Sequence, residues 1–193
     1  MKFIQVGANR GYDDFYNYLK NNKVDVEMGI LVECFIPHIP VLKECYSEFN
    51  NIIIENIAIK SPYEQKDKLN FFYNDCDGPN YECASLNLQH VINHNCYFPE
   101  NSKILSCEVS CFTLEQLFQK YNINSLDWLS LDVEGIDSEI ILTFDFEKYD
   151  IKRIEFEHIH LGYYKNSIKH MMNGLGYIQT KSLHEYDWAF EKN

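Results

Sequence analysis

The sequence predicts an α/β protein: a mostly parallel β-sheet, covered by helices on both faces and ended by a C-terminal antiparallel hairpin. Three observations predict it. Short β-rich apolar runs alternate with amphipathic segments, the rhythm of repeated βαβ units. The first run, FIQVG, ends in the turn Gly7-Ala8-Asn9-Arg10-Gly11, and an acid, Glu33, stands at the tip of the next run, GILVE. The last segment, GYIQTKSLHEYDWAFEKN, holds two extended runs around a polar His184-Glu185 turn.

The elements follow in order. FIQVG leads into a helix from about Asp13 to Leu19, and GILVE into a helical stretch from Pro37 to Phe49. NIIIENIAI reads as a third strand. From about residue 61 to 102 the rhythm weakens into an inserted region, with NDCDGPN as a turn-rich loop and SLNLQHVINH as a short helix. KILSCEVSCF resumes it as a strand, followed by the helix TLEQLFQKYN with Thr113 as N-cap. LDWLSLDVEG, a helix through Ile136 to Leu142, and KRIEFEHIHL complete the alternation before the hairpin. The chain reads as one domain over residues 1–193, without internal repeats or low-complexity linkers.

At 193 residues and 46% hydrophobic composition, such a domain buries a full core. No stretch reaches the roughly 20 apolar residues of a membrane span, and the start reads as a strand rather than a signal segment, so the expected compartment is the cytoplasm. The seven cysteines form no CxxC pair, which favours reduced thiols over a disulfide framework or a zinc ribbon. A formal charge of −12 with scattered lysines argues against nucleic acid as a partner.

A glycine turn after a first strand lets a ligand approach the backbone, and an acid at the tip of the second strand can hold ribose hydroxyls. The alternative is a tight turn with a solvated Glu33. A dinucleotide motif wants glycine where Asn9 stands, and Asp13 and Asp14 place negative charge where a pyrophosphate would rest. That arrangement suits a cofactor carrying a sulfonium cation, S-adenosylmethionine, better than NAD. Helix capping accounts for the two aspartates equally well.

FIQVGANRG, VECFIPHIPVLKECY, NIIIENIAI, CASLNLQHV, VSCFTLEQLF, LDWLSLDVEGIDSEIIL and IEFEHIHL, in that order, resemble the FkbM family of S-adenosylmethionine-dependent methyltransferases over nearly the whole chain. The resemblance implies a Rossmann-like class I methyltransferase fold with seven strands, and methyl transfer to an oxygen of a sugar, glycan or other small metabolite. It implies cofactor contacts from Gln5, Gly7, Ala8, Asn9 and Gly11 around the methionine moiety. Glu33 with the adjoining Cys34 would lie at the ribose, and Ala58 toward adenine. Many family members carry Asp where this chain has Gln5, and Pro where Cys34 and Phe35 follow Glu33. The chain opens directly on its first strand, so the site is expected to be open or to be completed by a second copy in a homo-oligomer. Two alternatives stand beside this reading: an NAD-dependent Rossmann oxidoreductase, and a cofactor-binding module without turnover.

In an open α/β sheet, ligands sit beyond the carboxyl ends of the strands, so DVEG and EFEHIHL face one crevice. Asp132, beside the glycine turn, is expected near the transferable methyl group, touching cofactor and acceptor alike. Glu134, Glu157, His158 and His160 supply carboxylates and imidazoles to orient a hydroxyl and take its proton. Alternation along the strand turns some of them away. The same groups are also of the type that binds a divalent cation, although the reading assigns no metal ligands. His90 and His94, four apart on the short helix, match no zinc pattern with Cys76, Cys83 and Cys96 and read as solvated helix histidines and core cysteines. Tyr163 and Tyr164 offer an apolar wall for a sugar ring, or core packing.

Overall fold

The computed structural model describes residues 1–192. Asn193, the last residue of the expected hairpin segment, lies outside them. Strand β1 (Lys2–Val6) sits in the middle of the sheet, next to β2 (Met28–Val32), which in turn pairs with β3 (Ile52–Glu55). On its other side β1 pairs with β7 (Ser125–Leu131), then come β8 (Asp150–Glu157), β10 (Asp187–Lys192) and β9 (Tyr177–Thr180). The order β3-β2-β1-β7-β8-β10-β9 is parallel except for β10, which runs antiparallel to both neighbours. Both the seven strands and the terminal hairpin agree with expectation.

Period-two alternation decides what each face packs against. Phe3, Leu31 and Trp128 point to one side, where Phe15 and Leu19 of helix α1 (Asp14–Asn21) and Leu42 of α2 (Ile39–Cys45) cover them. Ile4, Val6, Ile30, Val32, Leu129 and Leu131 point to the other. There they meet Leu117 and Phe118 of α4 (Leu114–Lys120), Ile140 and Ile141 of α5 (Asp137–Thr143), and Ile168 and Met172 of α6 (Lys165–Gly174). Apolar runs such as GILV are what a strand buried on both faces requires. Helix α4 starts at a capping box, in which Thr113 Oγ1 accepts from Gln116 N–H at 3.1 Å and Gln116 Oε1 accepts from Thr113 N–H at 2.7 Å.

Two expected strands sit differently. NIIIENIAI breaks after Glu55, and its second part forms β4 (Ala58–Ile59). KILSCEVSCF becomes β6 (Ile104–Phe112), which pairs with β4 and with β5 (Lys68–Asn74) in a separate three-stranded sheet, order β4-β6-β5. Seven residue pairs, from Lys68↔Ser110 to Asn74↔Ile104, hold β5 antiparallel to β6. The inserted region therefore contributes a strand, β5, as well as the expected short helix α3 (Leu88–His94). All seven cysteines are free, with Cys76 and Cys96 exposed rather than in the core. Among the described residues, no helix is long and apolar enough to cross a membrane.

Candidate active site

The carboxyl ends of β1, β2, β7 and β8 open into a cavity of about 590 Å³. Gly7 follows β1 with φ +78°, and its N–H and that of Ala8 both donate to Val32 O at 3.0 Å. A Cβ built on Gly7 would lie 1.8 Å from Asp132 O, so the turn is pressed against the backbone leaving β7. Only glycine fits there. Asn9, also at positive φ, donates from its backbone N–H to Glu33 Oε2 at 2.8 Å, while Phe35 N–H donates to Glu33 Oε1 at 2.7 Å. These two bonds fix the Glu33 carboxylate at the rim of β2, beside the turn. Asn9 Nδ2 and Arg10 Nη1 reach Asn80 O and Oδ1, at 2.7 and 3.2 Å, drawing the inserted loop over the turn.

The charge expected of residue 5 is held by its neighbour. Gln5 Nε2 donates to Asp13 Oδ2 at 2.6 Å, and Tyr46 O–H donates to Gln5 Oε1 at 3.0 Å, so both ends of the amide are bonded. Asp13 caps α1 by accepting from Tyr16 N–H at 2.7 Å, and burial raises its carboxyl pKa. Both capping and a place on the cavity wall hold for this residue.

Asp132 forms the cavity floor, open to the cavity yet surrounded by protein, and this desolvation, followed by the charge of Asp13, raises its pKa. Glu134 and Glu157 also line the cavity, and in both desolvation, with Asp132 next, pushes the carboxyl up. Glu157 Oε2 is buried without a hydrogen-bond partner. The terminal hairpin closes this end with His184, Tyr186 and Asp187, whose carboxyl is pushed up to about 7 by burial and then by Asp132. Gly11, Cys34 and Ala58 line the wall. Ala8 packs into the core instead, and His158 turns away to stack on Trp188 at 5.0 Å. His160 stands just outside the cavity, with Nε2 3.7 Å from Glu157 Oε1 and 3.8 Å from Glu134 Oε2.

Two histidines expected as solvated helix residues stand beside the cavity. His90 is buried, with its ring against Gly135, and its Nε2 is 3.1 Å from Glu134 Oε2. Burial pushes this imidazole down to about 4. His94, one turn on, lies with its ring centroid 4.2 Å from that of His90 and 5.1 Å from that of His160. Their spacing of four on a helix was the available signal.

Asp137, buried behind the DVEG turn, accepts from Val133 N–H at 3.2 Å, yet burial and then Asp132 push its carboxyl up to about 8. The unfolded chain releases this proton at about pH 4. Between about pH 4 and pH 8 the folded state therefore binds the extra proton, and stability falls as pH rises through that window. Asp137→Asn is expected to flatten the fall and to melt above wild type at alkaline pH. Thermal melts across the range check this, and superimposable profiles would clear Asp137 of the role.

This strand order, with a glycine turn and an acid at adjacent strand tips, is that of the class I methyltransferase fold. The methyltransferase FkbM domain profile matches residues 5–182, and the chain belongs to that family. Among solved structures it is similar to methyltransferase FkbM from Methylobacillus flagellatus KT, at 11% identity and a TM-score of 0.56, covering 98% of this chain and 43% of that one. The chain thus spans under half the length of that protein. It is also similar to the fibrillarin pre-rRNA processing protein of Methanococcus jannaschii, at 12% identity and a TM-score of 0.49, over 100% of this chain and 67% of that one. A third similar structure is TrmK of M. capricolum in complex with S-adenosyl-homocysteine, at 11% identity and a TM-score of 0.42, over 99% and 62%. A comparison with curated proteins gives no match.

Proposed function

We propose that the protein is an S-adenosylmethionine-dependent O-methyltransferase acting on a hydroxyl of a sugar, glycan or related small metabolite. The observation that carries this reading is one cavity bringing the Gly7 turn and Glu33 to face Asp132 and Glu157. The residues fit the cofactor. The Gly7 turn lines the cavity with bare backbone, Asn9 Oδ1 is buried without a partner, and acidic groups replace the anion-binding donors a pyrophosphate needs. Glu33 would hold the ribose, Asp13 would face the positively charged end, and Cys34 and Ala58 would supply apolar wall. When bound, S-adenosylmethionine supplies an electrophilic methyl group on a sulfonium.

The chain's own residues do the rest. Asp132, beside the glycine turn, accepts the acceptor's proton, and Glu157, one strand further out, orients the hydroxyl through its unpartnered Oε2. Holding that hydroxyl in line is a positioning effect. Tyr163 is fully exposed just after β8, and such an aromatic face suits a sugar ring.

Calorimetric titration with S-adenosylhomocysteine and with NAD tests the cofactor, since binding of NAD alone would favour an oxidoreductase. Glu33→Ala is expected to weaken S-adenosylhomocysteine binding by about 1.5–3 kcal/mol, the scale of a lost charged hydrogen bond. Unchanged affinity would remove Glu33 from the ribose site. Labelled methyl transfer to glycans, with RNA and a lysine-bearing protein in parallel, tests the acceptor. Transfer to RNA or lysine alone would overturn the hydroxyl acceptor, and binding without transfer to any acceptor would favour a non-catalytic module.

A further inference from the structure

Next to the cavity, three histidines converge from parts of the chain far apart in sequence. His90 and His94 come from α3 in the inserted region, and His160 from the 3-10 segment Ile159–Tyr164 after β8. One ring nitrogen from each lies within 4.8 Å of the others. Glu134 adds a carboxylate on the His90–His160 edge, its Oε2 being 3.1 Å from His90 Nε2 and 3.8 Å from His160 Nε2. Around a tetrahedral ion with bonds of about 2.0–2.2 Å, ligand atoms stand roughly 3.3–3.6 Å apart. The spacings along the Glu134 edge bracket that value.

The local bonding leaves a lone pair on one nitrogen of the His94 ring. His94 Nδ1 lies 2.8 Å from His90 O, an acceptor, so Nδ1 carries the proton and Nε2 of the neutral ring is free. A backbone carbonyl is a common partner for the outer nitrogen of a metal-bound histidine. His90 Nε2 is buried and makes no hydrogen bond, even to the carboxylate beside it. The carboxylate is itself held in place: Glu134 has φ +50°, and Ser85 O–H donates to Glu134 O at 2.5 Å. A non-glycine residue in that conformation persists only where its surroundings enforce it.

We propose that His90, His94, His160 and Glu134 form a binding site for one divalent first-row transition cation such as Zn²⁺, at the edge of the methyl-transfer cavity. Three imidazoles with one carboxylate suit zinc, cobalt, nickel or iron rather than magnesium or calcium. Glu134 and Glu157 line the cavity, so the ion would face the space left for the acceptor. Its use in orienting an acceptor hydroxyl rests on the proposed methyl transfer, whereas the site itself does not.

The test is calorimetric titration of the chelator-treated, dialysed full chain with Zn²⁺, together with Co²⁺ absorption. The expected result is one equivalent bound per chain, with Co²⁺ bands of a nitrogen and oxygen ligand set. His94→Ala and His160→Ala, both partly exposed positions, are each expected to retain the fold by circular dichroism and to lose at least about tenfold in affinity. His90→Ala should do the same unless its buried ring is needed for folding, in which case the other two variants decide. No saturable binding, unchanged affinity in both His94→Ala and His160→Ala, or Co²⁺ bands from thiolate ligation would each overturn the proposal. Zn²⁺ binding to these residues in a chain that does not bind S-adenosylhomocysteine would support the cation site while removing the methyl-transfer reading.

Discussion

Asp132→Asn is expected to fold, to bind S-adenosylhomocysteine much as the wild type does, and to lose turnover by roughly 10²- to 10⁴-fold, the usual worth of a positioned general base. The asparagine keeps the shape of the side chain on the cavity floor but cannot take the acceptor's proton. It also removes one charge from a crowded set. Asp132 stands among Asp13, Glu33 and Glu82, whose charges each raise its pKa, and the same side chain raises those of Asp137 and Asp187. The variant should therefore melt no lower than wild type, and higher at alkaline pH. Gain in stability with loss of rate is the pattern of a functional charge held at a structural cost. Turnover near the wild-type rate on an identified acceptor would end the assignment of Asp132.

Gly7→Ala should be the most damaging single-methyl change in the chain. The added Cβ would meet Asp132 O at 1.8 Å, a contact with backbone that no rotamer can relieve. The residue also sits at φ +78°, where an L side chain costs about 1–2 kcal/mol, and forced overpacking adds about 1–3 kcal/mol. A destabilisation of about 2–5 kcal/mol is expected from denaturant unfolding. The turn must swing away from β7, so S-adenosylhomocysteine binding should fall in whatever fraction remains folded. A variant with wild-type stability and affinity would mean that the turn has room that the close approach to Asp132 denies.

What could be read from sequence was local. FIQVG, GILVE and LDWLSLDVEG carry the apolar runs of doubly covered strands, and Thr113 announces a helix start. All of these stand where they were expected. The hairpin was visible because its turn is polar and its partners adjoin. Strand β5 was not visible, because KLNFFYN opens on charged and polar residues and gains its structure by pairing with β6 across the inserted region. KILSCEVSCF looks like any buried strand, and nothing in it says which sheet it will join. At the site, the glycine turn and Glu33 were legible as a spaced pair, but the Gln5–Asp13 bond was not, since both residues have ordinary local explanations. His90 and His94 lacked the third partner, His160, which arrives only when α3 and the end of β8 fold together.

The position of β1 also sets an order of events during synthesis. β1 precedes the other strands of its sheet along the chain yet lies in the middle of that sheet, and its second neighbour is supplied only by β7, with Phe3 opposite Trp128 and Val6 opposite Leu131. The bond from Lys2 N–H to Asp127 Oδ2, at 2.7 Å, spans 125 residues of chain. Until that length has emerged, β1 can pair with β2 alone, and its β7 edge stays open to the wrong partners. Closing so long a loop carries an entropic cost before any contact repays it, which makes this pairing a late and slow step. The glycine turn is completed by the same pairing, because Asp132 N–H reaches Val6 O only once β7 has docked. Nascent chains halted before Ser125 should therefore leave the Lys2 amide, whose acceptor is Asp127 Oδ2, open to hydrogen exchange, whereas the full chain should protect it.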